Sequence, residues 1–473
     1  LFCCVIMAGL FLNGPSADAQ SYVYVSPNGD NLDGASWSSA YHSLQDALNV
    51  ATANQIVCVS TGRYVYNSAM GGSFGGVGAA LFIANRNLTV RGGYLESGSP
   101  GAYTNEPLMT TVDVNTNILR IWTFTNCPNG LVENMTFTGA LQTGGAGAMG
   151  AGGYAYISVN TFRNCIFRRN YCGARGAVFL LDRSQLYMND CILSENEANI
   201  ATGLGGGMFT AYSNSVLCVS NSVIAGNTAL GGRGIVLSVA NSSVGRLFNC
   251  LVRNNTSTIG ATIMSMFNSA SGTIVLENCT VTGNNGAGLE ETGGSAIASN
   301  SIFWCNADDI IGNVNLYYCD IQDGDTGTEC FSADPQFTAG YYISGKSPCV
   351  NTGSVSAASV QLDTRFPFVN GPDSGVVDLG YHYPESNVLT DIYVNPSAGN
   401  NTNAGTFSSP LSNITFALAV VQPNTRINLA TGMYTSASEN FPLTISSAHD
   451  GCHLVGAGAE STIIDATNSG ARV

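Results

Sequence analysis

Between residues 134 and 321 the chain repeats one figure: an Asn or Asp, a small residue, then two strand-forming residues of which the second is large and apolar. The copies are Asn164-Cys165-Ile166-Phe167, Asp190-Cys191-Ile192-Leu193, Asn221-Ser222-Val223-Ile224, Asn249-Cys250-Leu251-Val252, Asn278-Cys279-Thr280-Val281 and Asn300-Ser301-Ile302-Phe303. Weaker copies flank them, Asn134-Met135-Thr136-Phe137 before and Tyr318-Cys319-Asp320-Ile321 after. From Met135 to Cys319 the steps are 30, 26, 31, 28, 29, 22 and 18 residues. Five residues beyond each small residue stands another Asn, at Asn170, Asn196, Asn227, Asn255, Asn284 and Asn306.

A period of about 20–30 residues predicts a solenoid, and runs of Ile, Val, Phe and Thr bounded by Asn and Gly predict β coils. One coil cannot bury its apolar face alone, so stacked coils share a core. Alternation along a strand turns the small residue and the large residue two later to the same side. Phe137, Phe167, Leu193, Ile224, Val252, Val281, Phe303 and Ile321 therefore form one interior stack. The Asn column is expected at turns, in the left-handed conformation that Asn tolerates, with its amides bonded along the axis. Cys165, Cys191, Cys250 and Cys279 read as a structural ladder of small buried hydrophobes carrying free thiols. The residues just after the ladder position, Ile166, Ile192, Val223, Leu251 and Ile302, are apolar yet point outward. Either loops cover that stripe or it is a contact surface.

Composition narrows the class. Of 473 residues 45% are hydrophobic, 10% charged and 56 glycine, with 20 Tyr and 20 Phe, which excludes a disordered chain and a Lys/Glu-rich helical bundle. Lys346 is the single lysine, and the net charge of −15 argues against a nucleic-acid partner. Leu1 to Leu12 is an apolar run followed by Ala17-Asp18-Ala19, the pattern of a secretory signal peptide whose start is expected to be missing. No later run is long enough to span a bilayer, so the expected place of action is extracellular or on the cell surface.

The repeat resembles the right-handed parallel β-helix of the pectin-lyase-like superfold over residues 80–325. Phe167-Arg168-Arg169-Asn170, with Gly205-Gly206-Gly207-Met208, also resembles the repeats of polymorphic outer-membrane proteins. Residues 22–64 and 392–434 repeat each other: Tyr24-Val25-Ser26-Pro27 matches Tyr393-Val394-Asn395-Pro396, and Thr61-Gly62-Arg63-Tyr64 matches Thr431-Gly432-Met433-Tyr434. Ser43 as N-cap with Leu44, Ala47, Leu48 and Ala51 at helical spacing predicts a short capping helix. Asp334-Pro335-Gln336-Phe337 and Val377-Asp378-Leu379-Gly380-Tyr381-His382 resemble the choice-of-anchor Q type of closing module. The fold class expected is thus all-β, a right-handed parallel β-helix with an N-terminal capping helix. The expected divisions are a signal peptide at 1–19, cap and first strands at 20–79, the β-helix at 80–325, a closing module at 326–390, and the truncated start of a second β-helix at 391–473.

Chemistry is less legible, and no catalytic residue is assigned. Lyases of the resembled superfold use an Arg or Lys base with Ca²⁺, and glycosidases need two carboxyls about 5–9.5 Å apart. Acids are sparse in the coils, and Glu290-Glu291 and Asp308-Asp309 read as solvated turns. Asp30-Asn31-Leu32-Asp33-Gly34 mimics part of a Ca²⁺ loop but reads as a turn, because its repeat carries no acid. Arg163, Arg168, Arg169, Arg175 and Arg183 fall within about one coil and form the candidate glycan site, since Arg grips carboxylates in bidentate fashion. Register sets Arg169 above Glu195, which reads first as a cross-coil ion pair, with the glycan site as the functional reading beside it. The expected function is a binding or structural module, adhesin-like or glycan-binding, whose partner is an acidic polysaccharide or cell-surface glycan. A polysaccharide lyase, ahead of a hydrolase, is the alternative. No cofactor or metal is expected, save Ca²⁺ under the lyase reading.

Overall fold

In a computed structural model the chain is a right-handed parallel β-helix followed by a smaller unit of parallel strands. The structure describes residues 22–117, 119–143, 149–199, 207–230, 234–257, 264–266, 272–291, 293–337, 341–367, 371–384, 390–401, 403, 405, 407, 410–420, 425–445, 452–467 and 469. They fall into two compact units, one formed within 22–336 and 343–384, the other within 337–342 and 390–469. Residues 1–19 lie outside the described residues.

Four stacks of strands run along the larger unit. One coil shows the order: Val159–Arg163 in an eleven-stranded first sheet, Ile166–Arg168 in a ten-stranded second, Tyr171–Cys172 in a five-stranded third, and Phe179–Asp182 in a ten-stranded fourth. Registers are parallel and unshifted through the middle, Phe137 over Phe167 over Leu193 over Ile224 over Val252 over Val281 over Phe303. Each of these is fully buried in one continuous core, as the alternation predicts. At the first coil, α1 (Leu44–Val50) carries Ser43 as its N-cap, which accepts from Asp46 N at 3.3 Å. Leu44, Ala47, Leu48 and Ala51 enter the same core.

Three corners per coil share one device. A residue with φ near +50 to +65° is followed by a small or amide side chain that turns inward and bonds a neighbouring rung. At the first-to-second corner the left-handed residues are Asn134, Asn164, Asp190, Asn221, Asn249, Asn278 and Asn300, and the cysteine ladder follows them. At the second-to-third corner they are Arg169, Glu195, Gly226, Asn254, Gly283 and Cys305. The expectation that the ladder asparagines themselves take this conformation is therefore corrected. The residue before each ladder Asn makes the bend, because the Asn side chain must point inward. Asn196 Nδ2 donates to Asn227 Oδ1 at 3.0 Å and to Phe167 O at 2.9 Å, while Asn196 N donates to the same Oδ1 at 3.0 Å. Asn170, Asn227, Asn255 and Asn284 repeat the pattern, ending on Asn306. A third ladder, unforeseen in the sequence, runs through Ser158, Ser184, Ser215 and Ser243, each Oγ accepting the previous rung's N–H at 3.0–3.1 Å.

The outward apolar stripe is largely covered. Ile166, Leu251 and Ile302 are buried, and Ile192 and Val223 half-buried. Part of the cover is residues 343–367 and 371–384, which run back along the solenoid as a strap. Gly380 N donates to Asn300 O, Tyr381 N to Thr280 Oγ1, and Asn249 brackets His382 with Oδ1 on its N–H and Nδ2 on its carbonyl. Arg365 reaches Asp190 at 2.8 Å. Gly380 has φ +89°, and a Cβ there would meet Thr280 Oγ1 at 2.5 Å and an Ile302 methyl at 2.8 Å. Only glycine lets the strap lie this close.

The strap is pinned by buried acids. His382 donates from Nδ1 to Gly380 O, and its Nε2 lies 2.8 Å from Asp373 Oδ2, so one proton sits between imidazole and carboxyl. Asp378 accepts from Asn351 N, and Asp320 accepts from Ala333 N and from the Cys349 thiol. Burial pushes Asp320 and Asp378 up to about 6, helped by Asp309 and Asp334 at the first and by Asp373 at the second, where His382 acts the other way.

The smaller unit repeats the opening of the larger. Thr390–Val394, α2 (Ile414–Val420), Thr425–Leu429 and Gly432–Thr435 follow the order of Tyr22–Val25, α1, Ile56–Ser60 and Gly62–Val65. The hydroxyls of Tyr64 and Tyr434 donate to Val25 O and Val394 O at 3.2 and 3.1 Å.

Two outcomes follow from these contacts. Asn227→Ala removes the acceptor of Asn196 N and of one Asn196 Nδ2 hydrogen and the side-chain donor to Leu193 O, and at about 1–3 kcal/mol per unsatisfied buried group should lower stability by roughly 3 kcal/mol in urea denaturation, with a smaller loss for Asn306→Ala at the half-buried end. A carboxyl with a raised folded-state pKa binds its proton more readily in the fold than in the unfolded chain. The strap should therefore firm up as pH falls from about 7 toward 4 and loosen as it rises through 6. Amide exchange of 349–379, corrected for intrinsic rates, checks this, and Asp378→Asn should flatten the dependence.

Candidate functional site

The fourth sheet presents the residues best suited to meet a ligand. In Gly153–Tyr156 the glycine and Ala155 face inward. Gly153 is required because the Phe179 ring lies about where its Cβ would be, 2.1 Å from that position. Alternation then turns Tyr154 and Tyr156 outward. The hairpin Ser73–Phe74 with Val77–Ala84 brings Phe74 over both, with ring centroids 5.4 Å from Tyr154 and 5.2 Å from Tyr156. On the next rungs Asp182 faces Tyr156 and Tyr212 in register. Phe74, Tyr154, Tyr156, Asp182 and Tyr212 are half-buried.

Two arginines hold the rings. Buried Arg120 lies 4.8 Å from the centre of Tyr154 and donates to Met149 O, Gly150 O and Thr123 Oγ1, fastening the chain beside the sheet. Exposed Arg183 lies 4.5 Å over Tyr156 and bonds Asp182 at 3.3 Å. Burial pushes the Tyr154 phenol up, helped by Tyr212 and Asp182, and pushes Tyr212 up as well; Arg120 is brought down to about 10 by burial. The phenols are therefore protonated donors at neutral pH. Aromatic faces flanked by phenols, a guanidinium and a carboxylate are suited to stacking and hydrogen bonding on a polyhydroxylated ring.

The five arginines singled out in the sequence divide among different faces. Arg163 lies in the first sheet and shares Glu133 with Arg91, at 2.8 Å each. Arg168 is buried in the second sheet, where burial and Arg169 bring it down to about 10. Arg169 turns the next corner and bonds Glu195 at 2.7 Å, as the register anticipates, a part-exposed pair worth about 0–1 kcal/mol. Arg183 belongs to the aromatic platform, and Arg175 lies close enough for Tyr212 to act on it. Phe74, Arg120, Tyr154, Tyr156, Asp182 and Tyr212 were missed in the sequence. The available signal was Tyr154 and Tyr156, large aromatics at two outward positions of one strand.

The acid pairs are not solvated turns. Glu290 is buried in Ala287–Glu290, and Asp309 in Asp308–Ile311. Glu291 does hold a turn, accepting from Gly293 N and Gly294 N. Asp30 to Gly34 is a turn as expected, with Asp33 accepting from Ala35 N. The terminal coil brings Asp308, Asp323 and Asp325 together, their oxygens within 4.8 Å of one another. Hard oxygen donors at that spacing are of the kind that hold Ca²⁺. Burial and Asp323 push Asp325 up to about 6. The cluster stands four rungs from the Tyr212 strand, roughly 19 Å at ~4.8 Å per rung. It is a separate feature from the platform. The Cys165 and Cys191 thiols are pushed up by burial, Cys191 to about 12, and stay protonated.

A family model described as right handed beta helix region matches residues 123–271, and one described as a protein of unknown function, DUF1565, matches residues 397–471. Among curated proteins the comparison finds no match. The structure is similar to that of pectate lyase Pel9A, at 15% identity and a TM-score of 0.42, covering 78% of this chain and 98% of that one. It is also similar to a PL6 family alginate lyase, AlyGC, at 11% identity and a TM-score of 0.23, covering 82% of this chain and 63% of that one. The class defined is a right-handed β-helix protein. Among the described residues no helix is long and apolar enough to cross a membrane.

Because Asp323 helps hold the proton on Asp325, Asp323→Asn should return Asp325 toward the ordinary carboxylate range. NMR titration of the Asp325 carboxyl should find a midpoint near 6 in the unaltered chain and a clearly lower one in the variant.

Proposed function

We propose that this chain is a glycan-binding module that acts outside the cell or on its surface, with the aromatic platform of the fourth sheet as its binding face. The observation that carries this reading is the grouping of Phe74, Tyr154 and Tyr156 around one patch, with Arg183 on its rim and Tyr212 and Asp182 beside it. Sugar rings stack on such faces through their C–H surfaces, while phenols and guanidinium meet hydroxyls and carboxylates. Arg183 and Arg175 favour uronate-containing polymers over neutral ones. The parallel rungs extend the face along the axis, which suits a chain-like ligand.

Binding without turnover is favoured over hydrolysis because Asp182 is the one carboxyl in the platform's described contacts, whereas glycoside hydrolysis uses a pair. It is favoured over elimination because burial raises the Tyr154 and Tyr212 phenols, so neither rests as a phenolate base, and because Arg120, though brought down to about 10, stays protonated at neutral pH with its donors on Met149 O, Gly150 O and Thr123 Oγ1.

The test is a panel of uronate-containing and neutral glycans incubated with residues 20–390, with and without Ca²⁺, scored together for binding and for unsaturated uronide release. Binding without release is expected. Each aromatic face is worth about 0.5–1.5 kcal/mol, and 1.4 kcal/mol is tenfold in affinity, so Tyr154→Ala with Tyr156→Ala should weaken binding by about tenfold or more. Release of unsaturated product would convert the assignment to a lyase, and unchanged affinity in the double variant would remove the platform from it.

A further inference from the structure

Sulfur acts on sulfur between neighbouring rungs at three places among the described residues: Cys165 with Cys191, Cys250 with Cys279, and Cys319 with Cys330. The first two pairs are wholly buried, whereas Cys330 is part-exposed at the end of the core. Parallel bridges from Tyr317 to Thr328 and from Asp320 to Phe331 bracket the third pair and set Cys319 opposite Cys330. Tyr318 N donates to Thr328 O at 2.8 Å and Phe331 N to Cys319 O at 3.0 Å. Both thiols take the same local course, Cys319 Sγ onto Tyr317 O and Cys330 Sγ onto Thr328 O. Parallel neighbours lie about 4.8 Å apart, inside the range of Cα separations, about 4.4–6.8 Å, that a disulfide spans.

We propose that Cys319 and Cys330 are a redox-active dithiol that a low-molecular-weight disulfide converts into an internal disulfide, fastening the terminal rung to the solenoid. The accessible Cys330 thiolate attacks the small disulfide, releasing one small thiolate that takes up a proton and leaving a mixed disulfide on Cys330. Cys319 then loses its proton and attacks the Cys330 sulfur, expelling the second small thiol. Two protein thiols are oxidised by two electrons, and the small disulfide is reduced to two thiols. The Cys319 hydrogen bond brings the Cys330 thiol down to about 7, against the effect of burial, so the attacking sulfur is substantially thiolate at neutral pH. Asp320, which holds the Cys349 thiol and Ala333 N, directly follows Cys319, so the bond also fixes the point where the strap is pinned. This role is independent of the glycan platform.

The experiment treats the reduced full chain with oxidised glutathione, blocks remaining thiols with an alkylating reagent and maps the peptides by mass spectrometry. The expected product joins the peptides of Cys319 and Cys330 and is two hydrogens lighter than the dithiol. In Cys319→Ser, Cys330 should stop at the glutathione adduct, with no internal bond. Exposed Cys305 reports that the oxidant acts. The proposal is overturned if Cys330 of the unaltered chain stays glutathionylated, if it pairs with Cys305, or if Cys305 reacts while Cys319 and Cys330 both alkylate. The unaltered chain alone decides the matter should the variant fail to fold.

Discussion

A column of buried side-chain amides sets the register on which everything else depends. From Asn170 to Asn284, one Oδ1 accepts both the backbone N–H and the Nδ2 of the rung before it, and each Nδ2 also reaches a carbonyl of the adjoining rung. Hydrophobic burial alone would tolerate a slipped coil, because any large apolar side chain fills the interior. Amides do not, since a slip would leave several polar groups buried and unpaired. The serine and cysteine columns at the other corners repeat this discipline with smaller groups. Steps of 18 to 31 residues are absorbed in the loops, and the corners stay aligned.

Fixed register lets residues far apart in sequence act as one surface. Phe74 and Tyr154 meet although 80 positions separate them, and Arg183 finds Tyr156 on the neighbouring rung. The strap uses the opposite flank of the same regularity. Asn249, Asn278 and Asn300 stand in one corner column, and each offers its side-chain amide to the strap's backbone. Left-handed corner residues point their side chains out of the coil, which frees these asparagines for that work.

The core was readable because period and alternation are local properties: the Phe137-to-Ile321 stack and α1 follow from spacing alone. The serine column was readable in principle, since Ser158, Ser184, Ser215 and Ser243 advance by 26, 31 and 28 residues, the same steps as Cys165, Cys191, Ser222 and Cys250. Assigning the left-handed bend to the ladder asparagines failed because Asn is suited to two jobs, turning a corner and bonding inward, and sequence does not say which it performs. The arginine grouping dispersed for a related reason. Arg168 and Arg169 are adjacent, but one ends a strand and the other turns the corner, so they face different surroundings. The platform was hidden because it is assembled across rungs and completed by a hairpin from the first coils.

The central claim is that the outer face of the fourth sheet is where a glycan lies. The most direct measurement is a hydrogen-exchange footprint of the folded chain with and without a saturating uronate oligosaccharide. The account predicts new protection confined to 73–77, 149–156, 179–183 and 209–212. Protection centred on the first sheet around Arg91 and Arg163, or at the terminal acidic cluster, would contradict it.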